Sequence, residues 1–169
     1  MGRSPLAELT PSTQVPTPIC QRLSVAARDD TALITRDWHG PFGCLTLIGT
    51  PAGVWRAQFS ATAPRPWQPL PAPWHRPDQN LRVYLAGTEF QYQVWQALTR
   101  IPRGEALSYA AFAQGMGRPR AIRAVASAVA ANPLPVILPC HRVIRSDGRP
   151  GEYIGGTTRK RQLLEAEQV

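Results

Sequence analysis

The pair Cys140-His141, set between two apolar segments, is the feature that most limits what this chain can fold into. Residues 136–138 and 143–144 are apolar, which predicts a buried thiol, and burial keeps a thiol protonated and inert. A neighbouring imidazole can accept the proton and restore thiolate character. We interpret the pair as a nucleophile and its base, against the alternative of a core cysteine beside an incidental histidine.

Positive charge is concentrated in the second half of the chain. Of the formal net charge of +8, a net of +6 lies in residues 81–169, which hold eleven arginines, one lysine and six acidic residues. This excess favours an anionic partner, with nucleic acid as the first candidate and a membrane surface as the second. The alternative is that the charge has no such partner, as in many basic proteins. No stretch has the length of a membrane span, and no apolar signal segment follows Met1, so we expect no membrane association.

The three cysteines, Cys20, Cys44 and Cys140, are odd in number and form no CxxC pair. This disfavours a zinc knuckle or a disulfide framework and fits a reducing compartment, so we expect a cytoplasmic protein, nucleoid-associated in a bacterium. His39 and His75 are further candidate ligands, but their spacing is not diagnostic. We predict no metal and no cofactor.

The pattern in the first half of the chain predicts a small β-containing domain over residues 1–80. Residues 1–38 show weak periodicity and several prolines, which predicts a poorly ordered lead-in. Residues 43–50 and 54–59 flank a Pro-Ala-Gly turn and predict a β-hairpin. Residues 61–77 contain six prolines and predict an extended linker to the second domain, 81–169.

The second domain is predicted to be helical. Thr88 and Gln91 form a capping box before a helix that ends near Arg100. A short helix capped by Ser108 then ends near Gln114. A glycine-rich turn follows, and two close helices separated in this way are typical of a helix-turn-helix.

The second helix of that pair is predicted to begin at Pro119 and to end near Ala131. Its apolar stripe contains Ile122, Val125 and Val129, and its other face contains Arg120, Arg123, Ser127 and Ala130. Small side chains offer little to read bases with in the major groove but allow close approach to the minor groove. The alternative is an alanine-rich core helix.

A last helix is predicted after Gly155-Gly156, capped by Thr157 or Thr158. Glu167 lies near its end, where the local pattern predicts a solvated acid. Asn132, at the end of the preceding helix, reads as a C-cap, a role compatible with a place in the site.

The second half as a whole resembles a known family. Its motifs occur in the order Gly87-Thr88-Glu89-Phe90-Gln91, Val94-Trp95-Gln96-Ala97-Leu98, Ile101-Pro102, Ser108-Tyr109, Arg123-Ala124-Val125, Asn132-Pro133, Pro139-Cys140-His141-Arg142-Val143, Tyr153, Gly155-Gly156 and Leu163-Leu164. This order closely resembles that of the O6-alkylguanine-DNA alkyltransferases, also called methylated-DNA–protein-cysteine methyltransferases, over residues 85–167.

The resemblance implies an α/β (α+β) fold with a small N-terminal β-containing domain and a helical C-terminal domain that holds a helix-turn-helix. It implies a DNA repair enzyme, a monomer without cofactor. This enzyme would move an alkyl group irreversibly from O6-alkylguanine, and from O4-alkylthymine, in double-stranded DNA to its own cysteine, once per molecule. The target atom is out of reach inside a stacked duplex, so the nucleotide must be extruded.

Site residues follow from the resemblance by position. Cys140 is the alkyl acceptor, His141 deprotonates it through a bound water, Glu167 orients that histidine, and Asn132 organises the active-site turn. Tyr109 assists nucleotide rotation and Arg123 fills the gap left by the base. The other DNA-binding positions are Ser108, Arg120, Ala124 and Ser127. The substrate pocket is lined by Pro135, Val143, Tyr153 and Gly155, with the carbonyls of Cys140 and Val143 reading the guanine edge.

Two other function classes stay open at this point. Alkyltransferase-like proteins bind lesions on the same scaffold without repairing them, but they lack the acceptor that Cys140 supplies. A helix-turn-helix regulator needs base-specific contacts, which the small side chains disfavour. Animal-type members of the family bind zinc, and at two of those ligand positions this chain has Thr50 and Trp55.

Overall fold

A computed structural model describes residues 18–23, 33–75 and 80–168. The strands are β1 (Ile19–Arg22), β2 (Ile34–Gly40), β3 (Gly43–Thr50), β4 (Gly53–Ser60), β5 (Arg82–Leu85), β6 (Leu107–Ser108) and β7 (Val143–Ile144). The helices are α1 (Glu89–Leu98), α2 (Tyr109–Gly115), α3 (Ile122–Ala130) and α4 (Thr157–Ala166), and a 3-10 turn spans Cys140–Arg142. This arrangement confirms the predicted α+β class.

Five strands form a mixed sheet in the order β1-β5-β4-β3-β2. The predicted hairpin of β3 and β4 is confirmed, with Leu45 opposite Phe59 and Leu47 opposite Ala57. β2 adds to it in antiparallel fashion, whereas β5 pairs in parallel with both β4 and β1. The lead-in predicted over residues 1–38 is therefore wrong for β1 and for most of β2, which are paired strands. Residues 1–17 and 24–32 of that segment lie outside the described residues.

The proline-rich segment packs on this sheet and is not a free linker over residues 61–75. Leu70 and Trp74 are buried, and Trp74 Nε1 donates to the Thr50 carbonyl at 2.8 Å. Trp38 Nε1 donates to the Gln68 carbonyl at the same distance. The prolines keep the segment extended, as predicted, but the apolar residues between them cover the sheet.

The boundary predicted at residue 80 stays a prediction. β5, which follows it, pairs with β4 and β1, which precede it, so the sheet uses residues from both sides. No helix in the described part of the chain is long and apolar enough to cross a membrane.

The two predicted helices of the helix-turn-helix are present as α2 and α3. Ser108 caps α2, its hydroxyl accepting from the Ala111 N–H at 3.0 Å. The start predicted for the second helix is wrong, because Pro119 and Arg120 lie in a turn closed by the Ala121 N–H on the Arg118 carbonyl at 3.0 Å.

The predicted apolar stripe of α3 is also wrong in one member. Ile122 is 39% exposed, and the buried residues are Val125, Ala128 and Val129. Trp95 of α1 donates its Nε1 proton to the Ala128 carbonyl at 2.8 Å, which draws that face into the core.

The threonine cap predicted for the last helix is absent, since Gly156 occupies the N-cap of α4 with φ +87° and no side chain caps the helix. Glycine adopts this left-handed conformation without strain.

Candidate active site

Cys140 follows a buried turn that Asn132 closes. Asn132 Nδ2 donates to the Leu138 carbonyl at 2.8 Å, and its Oδ1 accepts from the Leu134 N–H at 2.9 Å. The Cys140 N–H donates to the same Leu138 carbonyl at 2.7 Å. One side-chain amide therefore fixes residues 132–138 ahead of the cysteine, at a point where the chain has no regular structure to hold it.

The Cys140 thiol is only 4% exposed, as its apolar flanks predict. Burial raises its pKa to about 11, although a hydrogen bond from Asn132, the charge of Lys160 and backbone N–H groups act in the opposite direction. The resting thiol is therefore protonated at neutral pH, and its use as a nucleophile requires a base.

His141 is fully buried, and its Nε2 lies 3.0 Å from Oε1 of Glu167. Burial lowers the pKa of His141, and the neighbouring carboxylate only partly opposes this effect. A neutral imidazole that donates from Nε2 to Glu167 keeps Nδ1 as a proton acceptor. Nδ1 has no hydrogen-bond partner among the described residues, so it is free to take a proton.

Glu167 is 3% exposed, so the solvated acid that its local pattern predicts is wrong. Burial would raise its pKa, but hydrogen bonds from Arg142 and His141 outweigh burial and hold the pKa at about 2. Arg142 donates to this carboxylate from Nε at 2.9 Å and from Nη2 at 2.8 Å, and from Nη1 to the Ile101 carbonyl at 2.7 Å. This role of Arg142 was not predicted from the sequence, where its position directly after His141 is the one indication of it.

Lys160 is the second residue that the sequence argument missed. It is 1% exposed, and its Nζ donates to the Val143 carbonyl at 2.6 Å and lies 5.8 Å from the Tyr109 ring centre. Burial lowers its pKa to about 8, and the nearby Cys140 opposes this effect. It is the chain's only lysine among nineteen basic residues, a signal that could have singled it out.

A cavity of about 340 Å³ opens onto Cys140. Its lining residues are Tyr109, Ala126, Val129, Ala130, Cys140, Glu152, Tyr153 and Ile154. The structure thus brings together Tyr109 and Tyr153 with the cysteine, as predicted. Three residues predicted for the pocket do not line this cavity: Pro135 lines a neighbouring groove of about 980 Å³, Val143 is buried with its carbonyl bonded to Lys160, and Gly155 lies against Phe59.

The basic surface predicted for DNA lies on α3 and on the turn before it. Its exposed residues are Arg120, Arg123, Ala124 and Ser127. Ser108 is half-buried, and its hydroxyl is engaged as the cap of α2. The surface is positively charged and carries little bulk between its arginines.

The candidate metal ligands do not form a cluster. In the described ranges no three His, Cys, Asp or Glu side chains lie close enough together to hold a metal ion. His39 and Cys44 are cross-strand partners, Cys20 is on β1 and His75 is exposed. The expectation of no metal stays a prediction.

Comparisons with known proteins show the family to which this chain belongs. Residues 89–169 match the family described as 6-O-methylguanine DNA methyltransferase, DNA binding domain. A methylated-DNA–protein-cysteine methyltransferase of Mycobacterium tuberculosis is 38% identical over 150 residues, covering 79% of this chain and 91% of the relative. The bifunctional transcriptional activator/DNA repair enzyme Ada of Escherichia coli is 57% identical over 87 residues, but the chain spans only 25% of that relative.

Among solved structures, Mycobacterium tuberculosis OGT in complex with DNA aligns with a TM-score of 0.64 and 34% identity, over 79% of this chain and 92% of that one. The fold is that of the α+β alkyltransferases. The chain belongs to the methylated-DNA–protein-cysteine methyltransferase family.

Proposed function

We propose that this protein repairs O6-alkylguanine in double-stranded DNA by moving the alkyl group to Sγ of its own Cys140, once per molecule. The observation that carries the proposal is a buried thiol that faces a cavity, next to a histidine locked onto a buried carboxylate. Nucleophile, base and orienting group are thus present in one site. O4-alkylthymine as a second substrate and action as a monomer belong to the same proposal.

The chemistry begins with transfer of the thiol proton to His141 Nδ1, through a water molecule as the family resemblance implies. Glu167 stabilises the imidazolium that results. The thiolate attacks the alkyl carbon, the S–C bond forms as the C–O6 bond breaks, and the electron pair of that bond stays on O6. A proton equivalent to the one that His141 took from Cys140 then passes to the departing guanine, which restores the normal base and the neutral imidazole.

The reaction ends there because the product is a thioether. A thioether sulfur has no proton to lose and is a poor leaving group. Among the described residues that line the cavity, Cys140 is the only thiol, so the alkyl group has no second thiol to move to. The protein is therefore consumed by one reaction.

Access to the site requires that the nucleotide leave the duplex. In the proposal Arg123 occupies the space left in the base stack, and Tyr109 contacts the rotating nucleotide at the cavity wall. Small side chains on α3, such as Ala124 and Ser127, let the helix approach the minor groove closely. The Mycobacterium tuberculosis structure with DNA supports this choice of partner.

Intact-mass measurement after mixing with duplex DNA that contains O6-methylguanine tests the proposal. We expect one added methyl group per molecule, located on the Cys140 peptide. Cys140→Ser should bind the duplex without reacting, because a serine hydroxyl stays protonated. Cys44→Ser, which alters another buried cysteine, should react normally.

Two results would exclude the proposal: repeated turnover, or a methyl group found only on Cys20 or Cys44. Binding of the lesion without any transfer would instead favour the lesion-binding class of protein. A strong preference for one unmodified DNA sequence would favour a regulator.

A further inference from the structure

Arg159, on the first turn of α4, joins the five-stranded sheet to the loop that faces Cys140. Its Nε donates to the Phe42 carbonyl at 2.9 Å, its Nη2 donates to the Ser60 carbonyl, and its Nη1 donates to the Gly155 carbonyl at 3.4 Å. Its guanidinium also lies 4.6 Å from the centre of the Phe59 ring. One side chain therefore holds the β2–β3 turn, the end of β4 and the loop before α4.

Residues 153–155 rest directly on Arg159 and Phe59. The Tyr153 and Phe59 ring centres are 5.8 Å apart, in an edge-on arrangement. A Cβ atom at Gly155 would lie 2.7 Å from the Phe59 ring and 3.0 Å from Arg159 Cδ, so this contact requires glycine. Tyr153 and Ile154 also line the cavity that contains Cys140.

This loop contains no helix or strand, and Ile154 is 63% exposed, so Ile154 gains little from burial. The other anchors of the loop are Tyr153, which packs against the core and whose carbonyl accepts from the Gly156 N–H at 2.9 Å, and the Glu152 carbonyl, which accepts from Lys160 Nζ at 3.5 Å. Arg159 and Phe59 connect this loop to the sheet, and this connection contributes to the distance at which Tyr153 and Ile154 lie from the thiol. A guanidinium suits the task because its fixed fork of donors can reach several carbonyls at once.

We propose that Arg159 is a positioning residue for alkyl transfer, holding the 153–155 loop at the distance from Cys140 that the extruded base requires. The inference rests on the proposed function. According to this inference, the five-stranded sheet helps to position the groups that contact the extruded base, and it does so through Arg159. Displacement of a substrate-contacting group by about 1 Å can cost about 100-fold in rate, so a loosened loop should slow transfer with little effect on DNA binding.

The test compares Arg159→Ala and Arg159→Lys with Arg22→Ala. Arg22 is a matched control because it also joins the sheet to a helix, through an ion pair with Glu89 and a contact 4.5 Å from the Tyr92 ring centre, away from Cys140. The measurements are the single-turnover rate constant at saturating O6-methylguanine duplex and the dissociation constant of that duplex.

We expect Arg159→Ala to lower the rate constant about 10-fold or more and to change the dissociation constant by less than about 2-fold. Arg159→Lys should recover part of the rate, because an ammonium reaches some of the three carbonyls but cannot span them all. Arg22→Ala should leave both quantities unchanged. The ratio of rates on methyl and benzyl adducts should also change in Arg159→Ala, since the loop lines the alkyl site.

A wild-type rate constant in folded Arg159→Ala would overturn the inference, as would an equal loss of rate in Arg22→Ala. If Arg159→Ala does not fold, Arg159→Lys decides by the same two quantities. A wild-type protein that transfers no methyl group would overturn the proposed function itself. A reactive wild type with an equally reactive Arg159 variant would overturn only the role of Arg159.

Discussion

Nε2 of His141 lies 3.0 Å from Oε1 of Glu167, although the two residues are 26 positions apart in the chain. The same carboxylate accepts two hydrogen bonds from Arg142, which belongs to the same 3-10 turn as Cys140. One acid at the end of α4 thus orients both residues that follow the cysteine. The geometry ties the C-terminal helix to the chemistry of the site.

Glu167→Gln should destabilise the protein and slow transfer. The change removes the charge that pairs with Arg142 and orients His141, and breaking a buried ion pair costs about 3 kcal/mol. Glu165→Gln is the matched control, because Glu165 is exposed on the same helix. Urea unfolding and single-turnover methylation measure the two effects. Equal stability of the two variants would contradict the role assigned to Glu167.

Acid should destabilise the protein through the same carboxylate. Its pKa is lowered from 4.5 to about 2 in the folded state, so its contribution is complete above pH 4.5 and is lost as pH falls through about 2. At about 1.4 kcal/mol per pKa unit, this contribution is about 3 kcal/mol. The lowered pKa of His141 acts in the same direction below its usual value of 6.5.

Unfolding free energies measured from pH 7 to pH 2.5 check this expectation. The curve of wild type should fall more steeply than that of Glu167→Gln below pH 4.5. Parallel curves would show that the carboxylate is not stabilised by its folded environment.

Lys160→Met should raise the pH at which transfer becomes fast. The lysine charge lowers the pKa of Cys140, so its removal makes the thiolate harder to form, and the rate at pH 7 should fall about 10-fold. Arg161→Met, an exposed basic residue on the same helix, serves as the control. The pH–rate profile of single-turnover methylation measures the shift, and an unchanged profile would exclude a role for Lys160 in thiol activation.

Arg123→Ala should lower the transfer rate on duplex DNA while leaving transfer from free O6-benzylguanine unchanged. The duplex reaction needs extrusion of the nucleotide, and the free base does not. Arg36→Ala, another exposed arginine but on β2, should leave both rates unaffected. Equal loss on both substrates would place the role of Arg123 in the chemistry and not in extrusion.

DNA affinity should fall as salt concentration rises, because phosphate contacts release counterions. Arg120→Ala should reduce the slope of log affinity against log salt by about 1, the value for one phosphate contact. Titration of unmodified duplex at several salt concentrations gives these slopes. A salt-independent affinity would show that the basic face of α3 is not the surface that binds DNA.

Local patterns in the sequence predicted the elements that local physics controls. Alternation along β3 and β4 predicted the hairpin, and the Thr88–Gln91 capping box predicted the start of α1. The Ser108 cap predicted the start of α2, and the apolar flanks of Cys140 predicted its burial. Each of these signals involves residues within a few positions of one another.

Contacts between distant segments decided the rest. The sequence by itself determined a buried Cys140-His141 pair in a basic helical domain. The family resemblance implied that Glu167 orients His141, but only the tertiary structure showed how this acid is buried against the histidine, that Lys160 reaches the Val143 carbonyl and that Arg159 reaches Phe42, 117 positions away. The local pattern alone predicts that Glu167 is a solvated acid, because the residues it contacts are remote in sequence. Periodicity indicates which face of a helix or strand is buried, and capping patterns indicate hydrogen bonds between near neighbours. The contacts of these side chains depend instead on how distant segments pack together.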